Sequence, residues 1–181
     1  MITIEIGRED LRNMTKAEVK NLPGTLFVGA SPLLKPFMKK LEDLLPAEKR
    51  GKGDSYVLAA LHSHIDEVQA DDQGIMVRSG DKTVDISRDE FCALMGERYP
   101  STDHQRLNLP GLLFLQSSPT LQACSVAMLR KQGLRIPEGR RTLRYIFHMA
   151  VVCIDADKEK IRIDVDPERL PKKADGSGVL E

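Results

Sequence analysis

Two histidines and two acidic residues form the densest group of reactive side chains in this sequence. They lie in the segment His62-Ser63-His64-Ile65-Asp66-Glu67, which directly follows the apolar run 55–61. If that run is a buried strand, the segment lies at its carboxyl end, where open α/β sheets bind their ligands. Imidazole and carboxylate groups are typical zinc ligands when a loop curls toward one ion. His62, His64 and Asp66 are therefore candidate metal ligands of a metal-dependent hydrolase.

A structural interpretation of the same segment is the alternative. One histidine then packs in the core and the other is exposed at the end of the strand. Further histidine ligands would have to be His104 and His148, which are distant in the sequence. Because this ligand set is incomplete, we expect no tightly bound zinc.

A second pattern extends over residues 54–118. An apolar run beginning at Ser55 leads to Ser63-His64, and the turn Ser79-Gly80-Asp81 separates two alternating runs. An amphipathic helix containing Phe91 follows, and a proline-preceded apolar run 112–115 leads to Ser118. This order resembles the large-subunit core of caspases, in which a histidine activates a cysteine nucleophile. The resemblance implies that His64 is the base and that Ser118 occupies the nucleophile position.

The sequence departs from the caspase pattern at the residues that matter for catalysis. Ser118 replaces the cysteine, and a hydroxyl is far less acidic than a thiol. Ile65 replaces a glycine, and its side chain narrows the approach to the backbone. The resemblance therefore implies a catalytically inactive pseudo-peptidase that binds or regulates proteins. Its expected partner is another protein or a second copy of the chain, bound through a sheet edge.

Cys124 offers a rival nucleophile within the same resemblance, because Gln122-Ala123-Cys124 has the letters of the family's nucleophile motif. The apolar spacing after Pro119 nevertheless predicts a helix with Cys124 on its apolar face. We expect Cys124 to be a packing residue.

A basic stretch near the C-terminal third is a candidate partner-binding surface. Its residues are Arg130, Lys131, Arg135, Arg140, Arg141 and Arg144. Such a stretch binds phosphates or an acidic partner, so a non-enzymatic binding module is a third functional hypothesis. A solvated helix face is the structural alternative.

Composition excludes several classes of protein. The 181 residues carry 27 basic and 27 acidic side chains, so no net charge favours nucleic acid or an anionic membrane. No apolar run is long enough for a transmembrane helix. The three cysteines are expected to be free thiols in the cytoplasm. Gly51-Lys52-Gly53 is too short for a phosphate loop, and no cofactor is expected.

The elements that must position these residues follow from periodicity. The predicted fold class is α/β, a three-layer sandwich with a mostly parallel central sheet, helices on both faces and a C-terminal β-hairpin. Its central strands are 26–28, 55–61 and 112–115, which are apolar on nearly every residue. Further strands are 2–6, the hairpin 75–77 with 83–86, and the hairpin 149–154 with 160–165. Helices are expected after Thr15, from 31 to 45, after Ser87, after Ser118 and over 140–148. Residues 1–166 form one domain, and 167–181 form a polar tail.

Overall fold

The computed structural model describes residues 1–16, 19–27, 34–98, 107–136 and 149–170. This part of the chain contains six β-strands and six α-helices. The strands are β1 (Ile2–Gly7), β2 (Glu67–Ala70), β3 (Gly74–Ser79), β4 (Lys82–Ser87), β5 (Val151–Ala156) and β6 (Lys160–Val165). The helices are α1 (Arg8–Thr15), α2 (Met38–Leu41), α3 (Asp54–His64), α4 (Arg88–Arg98), α5 (Leu109–Leu115) and α6 (Pro119–Lys131). Short 3-10 helices span Pro23–Phe27, Lys35–Phe37, Glu42–Leu44, Ala47–Lys49 and Pro167–Arg169.

The six strands form one sheet in the order β1-β6-β5-β2-β3-β4, and every neighbouring pair is antiparallel. The prediction of a mostly parallel central sheet is therefore wrong. Parallel neighbours need long crossover connections, whereas β3 with β4 and β5 with β6 are joined by short turns. The outermost strands are β1 and β4.

The three predicted parallel strands are helical where the structure describes them. Residues 55–61 lie within α3, residues 112–115 lie within α5, and 26–27 belong to the 3-10 helix Pro23–Phe27. Position 28 lies outside the described residues. Helix α3 buries Val57, Leu58 and Leu61, and Ile65 continues this stripe one turn later. A helix that is covered on much of its surface has the same apolar composition as a buried strand.

The alternating segments and the helix starts at Ser87 and Ser118 were predicted correctly. Strand β1 and the hairpins β3–β4 and β5–β6 are present with small changes of their bounds. The capping box before α4 is formed, because Glu90 N–H donates to Ser87 Oγ at 3.3 Å and Ser87 N–H donates to Glu90 Oε2 at 2.8 Å. Helix α6 begins after Ser118 as expected.

Other helix predictions differ from the structure. Helix α1 ends at Thr15, where a helix was predicted to begin, and its C-cap residue Lys16 has a left-handed φ of 55°. The segment 35–44 is helical but alternates between 3-10 and α geometry. The predicted helix 140–148 lies outside the described residues, as do positions 171–181 of the predicted tail. At the start of that tail, Leu170 is buried.

One face of the sheet carries the core. Two rows of paired residues cross all six strands on this face, and every member is buried. The rows are Ile4-Ile163-Ile154-Ala70-Ile75-Ile86 and Ile6-Ile161-Ala156-Val68-Val77-Val84. Helices α1 and α6 pack against β1, and α5 packs against β5, β2 and β3. We call this side the inner face.

The opposite side, which we call the outer face, is polar. Its central row is Glu5-Arg162-Asp155-Gln69-Met76-Asp85, with one residue from each strand. These side chains are exposed except Met76, which is half-buried. The described helices pack on the buried side, so this part of the chain has two layers. The predicted third layer of helices on the other face is not present among the described residues.

Candidate functional site

Ser118 is the N-cap residue of α6. Its Oγ accepts the N–H of Leu121 at 3.1 Å, and its own N–H donates to the Thr25 carbonyl at 2.9 Å. A serine hydroxyl in this position satisfies a main-chain donor that the first turn of a helix leaves without a partner. The structure therefore gives Ser118 a structural role at a helix start rather than a place at a strand end.

His64 is the last residue of α3, and its side chain contacts a lysine. The Nε2 atom lies 2.6 Å from Lys49 Nζ. An ammonium group only donates, so Nε2 is the acceptor in this contact. The His64 carbonyl also accepts the Ser79 hydroxyl at 2.7 Å. No hydrogen bond joins His64 to Ser118, although the structure describes both residues. The base and nucleophile implied by the resemblance are therefore not joined as a pair.

Cys124 lies in the core on the inner side of α6, with 3% of its surface exposed. Burial raises the pKa of its thiol, and the negative charge of Asp10 adds to this while Lys131 opposes it. A buried thiol with a raised pKa is a poor nucleophile, because the thiolate is the reactive form. The structure shows the packing role expected for this residue.

The three candidate metal ligands are not brought together. His62 and His64 are two residues apart on α3, which turns their side chains about 200° from each other. Asp66 Oδ2 accepts the Gly80 N–H at 2.6 Å, and its Oδ1 lies 2.5 Å from Lys158 Nζ. These bonds lower the Asp66 pKa, the Gly80 bond most strongly and Lys158 next. Within the described ranges, no three His, Cys, Asp or Glu side chains are grouped as a metal site. Positions 104 and 148 lie outside those ranges.

The basic stretch is only partly described. Arg130 and Lys131 end α6 and are exposed, and Arg130 Nη2 donates to the Ile136 carbonyl at 3.0 Å. Arg135 is also exposed. Arg140, Arg141 and Arg144 lie outside the described residues. The binding role of this stretch stays a prediction.

The edge of β4 carries main-chain groups that point away from the sheet. Gly80-Asp81 form a two-residue turn, so Ser79 and Lys82 are the first hydrogen-bonded pair of the hairpin. Bonding then alternates along the strand, which directs the N–H and C=O groups of Thr83 and Asp85 outward. No protein partner of these four groups is present among the described residues.

Two observed hydrogen bonds agree with this alternation. The Ser87 N–H, two residues beyond Asp85, donates outward to the Glu90 side chain. On the other side of the hairpin, the Arg78 carbonyl accepts the Asp66 N–H at 2.8 Å, away from β4. Arg78 pairs with Thr83 in the register, so both members of that pair direct their main-chain groups away from each other.

The opposite edge, β1, is partly closed by side chains. The Thr3 carbonyl accepts Gln132 Nε2 at 3.1 Å, and the Gly7 N–H donates to Asp10 Oδ2 at 2.8 Å. Thr3, Glu5 and Gly7 are alternate residues of the strand, so their main-chain N–H and C=O groups all point away from β6. Helix α6 also packs against this strand. The two edges of the sheet therefore differ, with β4 the more open.

A cleft of about 320 Å³ adjoins the β4 edge. Its lining includes Gln69, Asp71, Met76, Asp85, Ser87 and Glu90. Gln69, Met76 and Asp85 are consecutive members of the outer-face row. Ser87 and Glu90 form the capping box at the start of α4. The lining combines three carboxylates, the two amides of Gln69 and Gln73, one hydroxyl and the Met76 thioether. Such a surface accepts hydrogen bonds and attracts positive charge.

Sequence reasoning missed this cleft. The alternation Thr83-Val84-Asp85-Ile86 indicates that Asp85 lies on the polar face of its hairpin. However, the neighbour of that hairpin is β2, which was not predicted as a strand. Gln69 meets Met76 and Asp85 only through the pairing of β2 with β3.

No helix within the described ranges is by itself long and apolar enough to cross a membrane. Only Leu109–Leu115 and Pro119–Lys131 taken together meet that length and composition, and they are bent by 118°.

The chain matches no protein-family model, no curated protein and no solved structure.

Proposed function

We propose that this protein is a protein-binding module and that an extended segment of its partner adds to β4 as a further antiparallel strand. The observation that carries the proposal is the outward-facing main chain of Thr83 and Asp85. Strand addition satisfies such groups with the partner's own N–H and C=O groups. An edge of this kind is usually blocked in proteins that do not use it.

The contrast between the two edges supports this choice of strand. Gln132 and Asp10 already bond one outward group at each end of β1, the Thr3 carbonyl and the Gly7 N–H, and α6 packs beside the strand. On β4, the Ser87 N–H is the outward donor that a side chain satisfies. The groups of Thr83 and Asp85 lie in the middle of the strand, where an added strand would pair with them.

The roles of the candidate catalytic side chains favour binding over catalysis. Ser118 caps a helix, His64 contacts Lys49, and Cys124 is packed in the core. The strands on which the caspase resemblance depends are helices in the structure. The binding role is therefore argued from the sheet edge and does not rest on that resemblance.

A proline scan of the two edges tests strand addition. Thr83→Pro removes an outward N–H but no bond to β3, and Glu5→Pro makes the same change on β1. The probes are fluorescein-labelled peptides in which valine alternates with serine or with lysine, and binding is measured by fluorescence anisotropy. We expect Thr83→Pro to weaken peptide binding about tenfold, since it loses a hydrogen bond and adds a ring at the contact.

Thermal unfolding of each variant provides the folding control. Both prolines lie at outward-facing positions, so both variants should unfold cooperatively near the wild-type temperature. If Thr83→Pro does not fold, Asp85→Pro replaces it, because the Asp85 N–H also points outward. Strand addition at β4 is contradicted if a folded Thr83→Pro variant binds the peptides as wild type does, or if no peptide binds wild type.

A further inference from the structure

Resting on the proposed strand addition, we infer that the partner segment is basic and places a lysine or arginine side chain on the outer face, beside Asp85 and the cleft. The acidic residues of the cleft would then recognise the charge of the segment, while the β4 main chain holds its backbone.

The position of the partner's side chains follows from sheet geometry. Residues that pair across two strands have their side chains on the same face. Thr83 and Asp85 have outer-face side chains and outward main-chain groups. A partner residue that bonds to either of them therefore places its own side chain on the outer face. Its Cβ atom lies roughly 5 Å from that of its β4 neighbour, within reach of the cleft.

The charge balance at this edge selects a basic side chain. The cleft contains Asp71, Asp85 and Glu90. Glu90 already pairs with Lys40 at 2.9 Å, and Asp71 Oδ1 accepts the N–H groups of Gln73 and Gly74. Among the described residues, no lysine or arginine pairs with Asp85. An incoming cation would therefore meet a carboxylate that has no ion-pair partner in the described structure.

The nearby arginine does not neutralise the cleft. Arg78 Nη2 lies 2.5 Å from Glu67 Oε2, and Arg78 Nε donates to the same oxygen at 2.8 Å. This paired arginine sits in the neighbouring outer-face row with Thr83. Asp85 lies on the edge strand itself and on its outer face.

A second copy of the chain fits this edge less well. Its β4 would bring Lys82, but Lys82 has the parity of Val84, so its side chain belongs to the inner side of the sheet. The outer face of the second copy would instead bring another Asp85 and another acidic cleft. Like charges across the new pair would oppose association. A basic segment of a different protein gives the better charge complementarity.

Three peptides test the charge of the segment. Valine alternates with lysine in the first, with serine in the second and with glutamate in the third. At low ionic strength we expect the lysine peptide to bind up to about fivefold more tightly than the serine peptide for each cross-strand ion pair. The glutamate peptide should bind more weakly than both, and added salt should reduce these differences.

The matched variants are Asp85→Asn and Glu5→Gln. Both remove an exposed carboxylate from the same outer-face row, one at each edge strand. Asp85→Asn should reduce the advantage of the lysine peptide over the serine peptide without weakening the serine peptide. Glu5→Gln should leave both affinities unchanged. Thermal unfolding confirms that the two variants are folded.

The outcomes separate this inference from the proposed function. If all three peptides bind equally and all lose affinity in Thr83→Pro, strand addition stands and the basic partner is overturned. If the lysine peptide binds Thr83→Pro as tightly as wild type, strand addition itself is overturned. Concentration-dependent dimerisation that Thr83→Pro abolishes would show that a second copy occupies the edge, and would overturn the basic partner.

Discussion

Ser118 is the residue for which a catalytic and a structural role make different predictions. As the N-cap of α6 it accepts the Leu121 N–H, so Ser118→Ala should lower the free energy of unfolding by about 1 kcal/mol. Ser118→Asp should keep most of the stability, because aspartate is an equally good cap. Urea denaturation of the three proteins measures the difference. Equal stability of the alanine variant and wild type would contradict the capping role.

Asp66 couples the stability of the protein to pH. It bonds to Gly80 in the β3–β4 turn and to Lys158 in the β5–β6 turn, and these bonds hold its pKa below the ordinary value. A carboxyl whose pKa is lower in the folded state stabilises the fold above its unfolded pKa. This contribution is lost as the pH falls through the folded pKa.

The substitution Asp66→Asn tests this coupling. At pH 7 it should lower the free energy of unfolding by about 1 kcal/mol, and at a pH below the folded pKa of Asp66 the variant and wild type should be equally stable because the carboxyl is then protonated. Urea denaturation at several pH values gives the comparison. Asp81→Asn removes an exposed carboxylate from the β3–β4 turn that Asp66 contacts, and it serves as the control. A pH-independent loss in Asp66→Asn would show that the charge is not responsible.

At the scale of elements, the 3-10 helix Pro23–Phe27 packs directly on α3. A Cβ atom at Gly24 would overlap the main-chain carbonyl of His62, so only glycine allows this approach. We expect Gly24→Ala to lower the free energy of unfolding by about 2–3 kcal/mol. Gly7→Ala is the control, because its Cβ would meet only ordinary van der Waals contacts. Similar stabilities of the two variants in urea denaturation would contradict the close packing.

The elements that the sequence predicts correctly are those specified by local signals. The hairpin 75–86 has alternating residues around a glycine turn, and α4 and α6 have side-chain caps at their starts. The runs 55–61 and 112–115 are apolar on nearly every residue, and the helices that contain them have no side-chain cap at their starts. Their length and composition fit a buried strand as well as a helix. Burial at Val57, Leu58 and Leu61 shows the helical spacing once the structure is known.

The site depends on which segments form strands and which form helices. His64 and Ser118 were predicted to lie at adjacent strand ends, but they lie at the end of α3 and before the start of α6. Asp85 and Gln69 are brought to one row because β3 pairs with β4 on one side and on the other with β2, which was not predicted as a strand. A sheet edge was predicted to bind the partner, but the sequence did not indicate which strand forms it.

For the whole molecule, one polar face and two unequal edges define the surface of the sheet. The inner face is buried by helices, while the outer face carries ion pairs such as Lys160 with Glu5 and Arg78 with Glu67. The exposed pair of Lys160 with Glu5 contributes little stability, whereas Arg78 and Glu67 are half-buried. The stability of the sheet therefore depends mainly on its buried inner rows.

The inequality of the two edges should be visible in amide hydrogen exchange of the free protein. The Val84 and Ile86 amides donate to β3 in the alternating ladder, so we expect them to exchange only on extensive unfolding. Thr83 precedes Val84, and Asp85 lies between Val84 and Ile86. The amides of Thr83 and Asp85 point outward, so we expect them to exchange many times faster. On β1, the outward Gly7 amide should be partly protected by its bond to Asp10. Nuclear magnetic resonance resolves these amides individually. Slow exchange of Thr83 and Asp85 that persists on dilution would mean that β4 is already covered within the chain, and the edge would not be open to a partner.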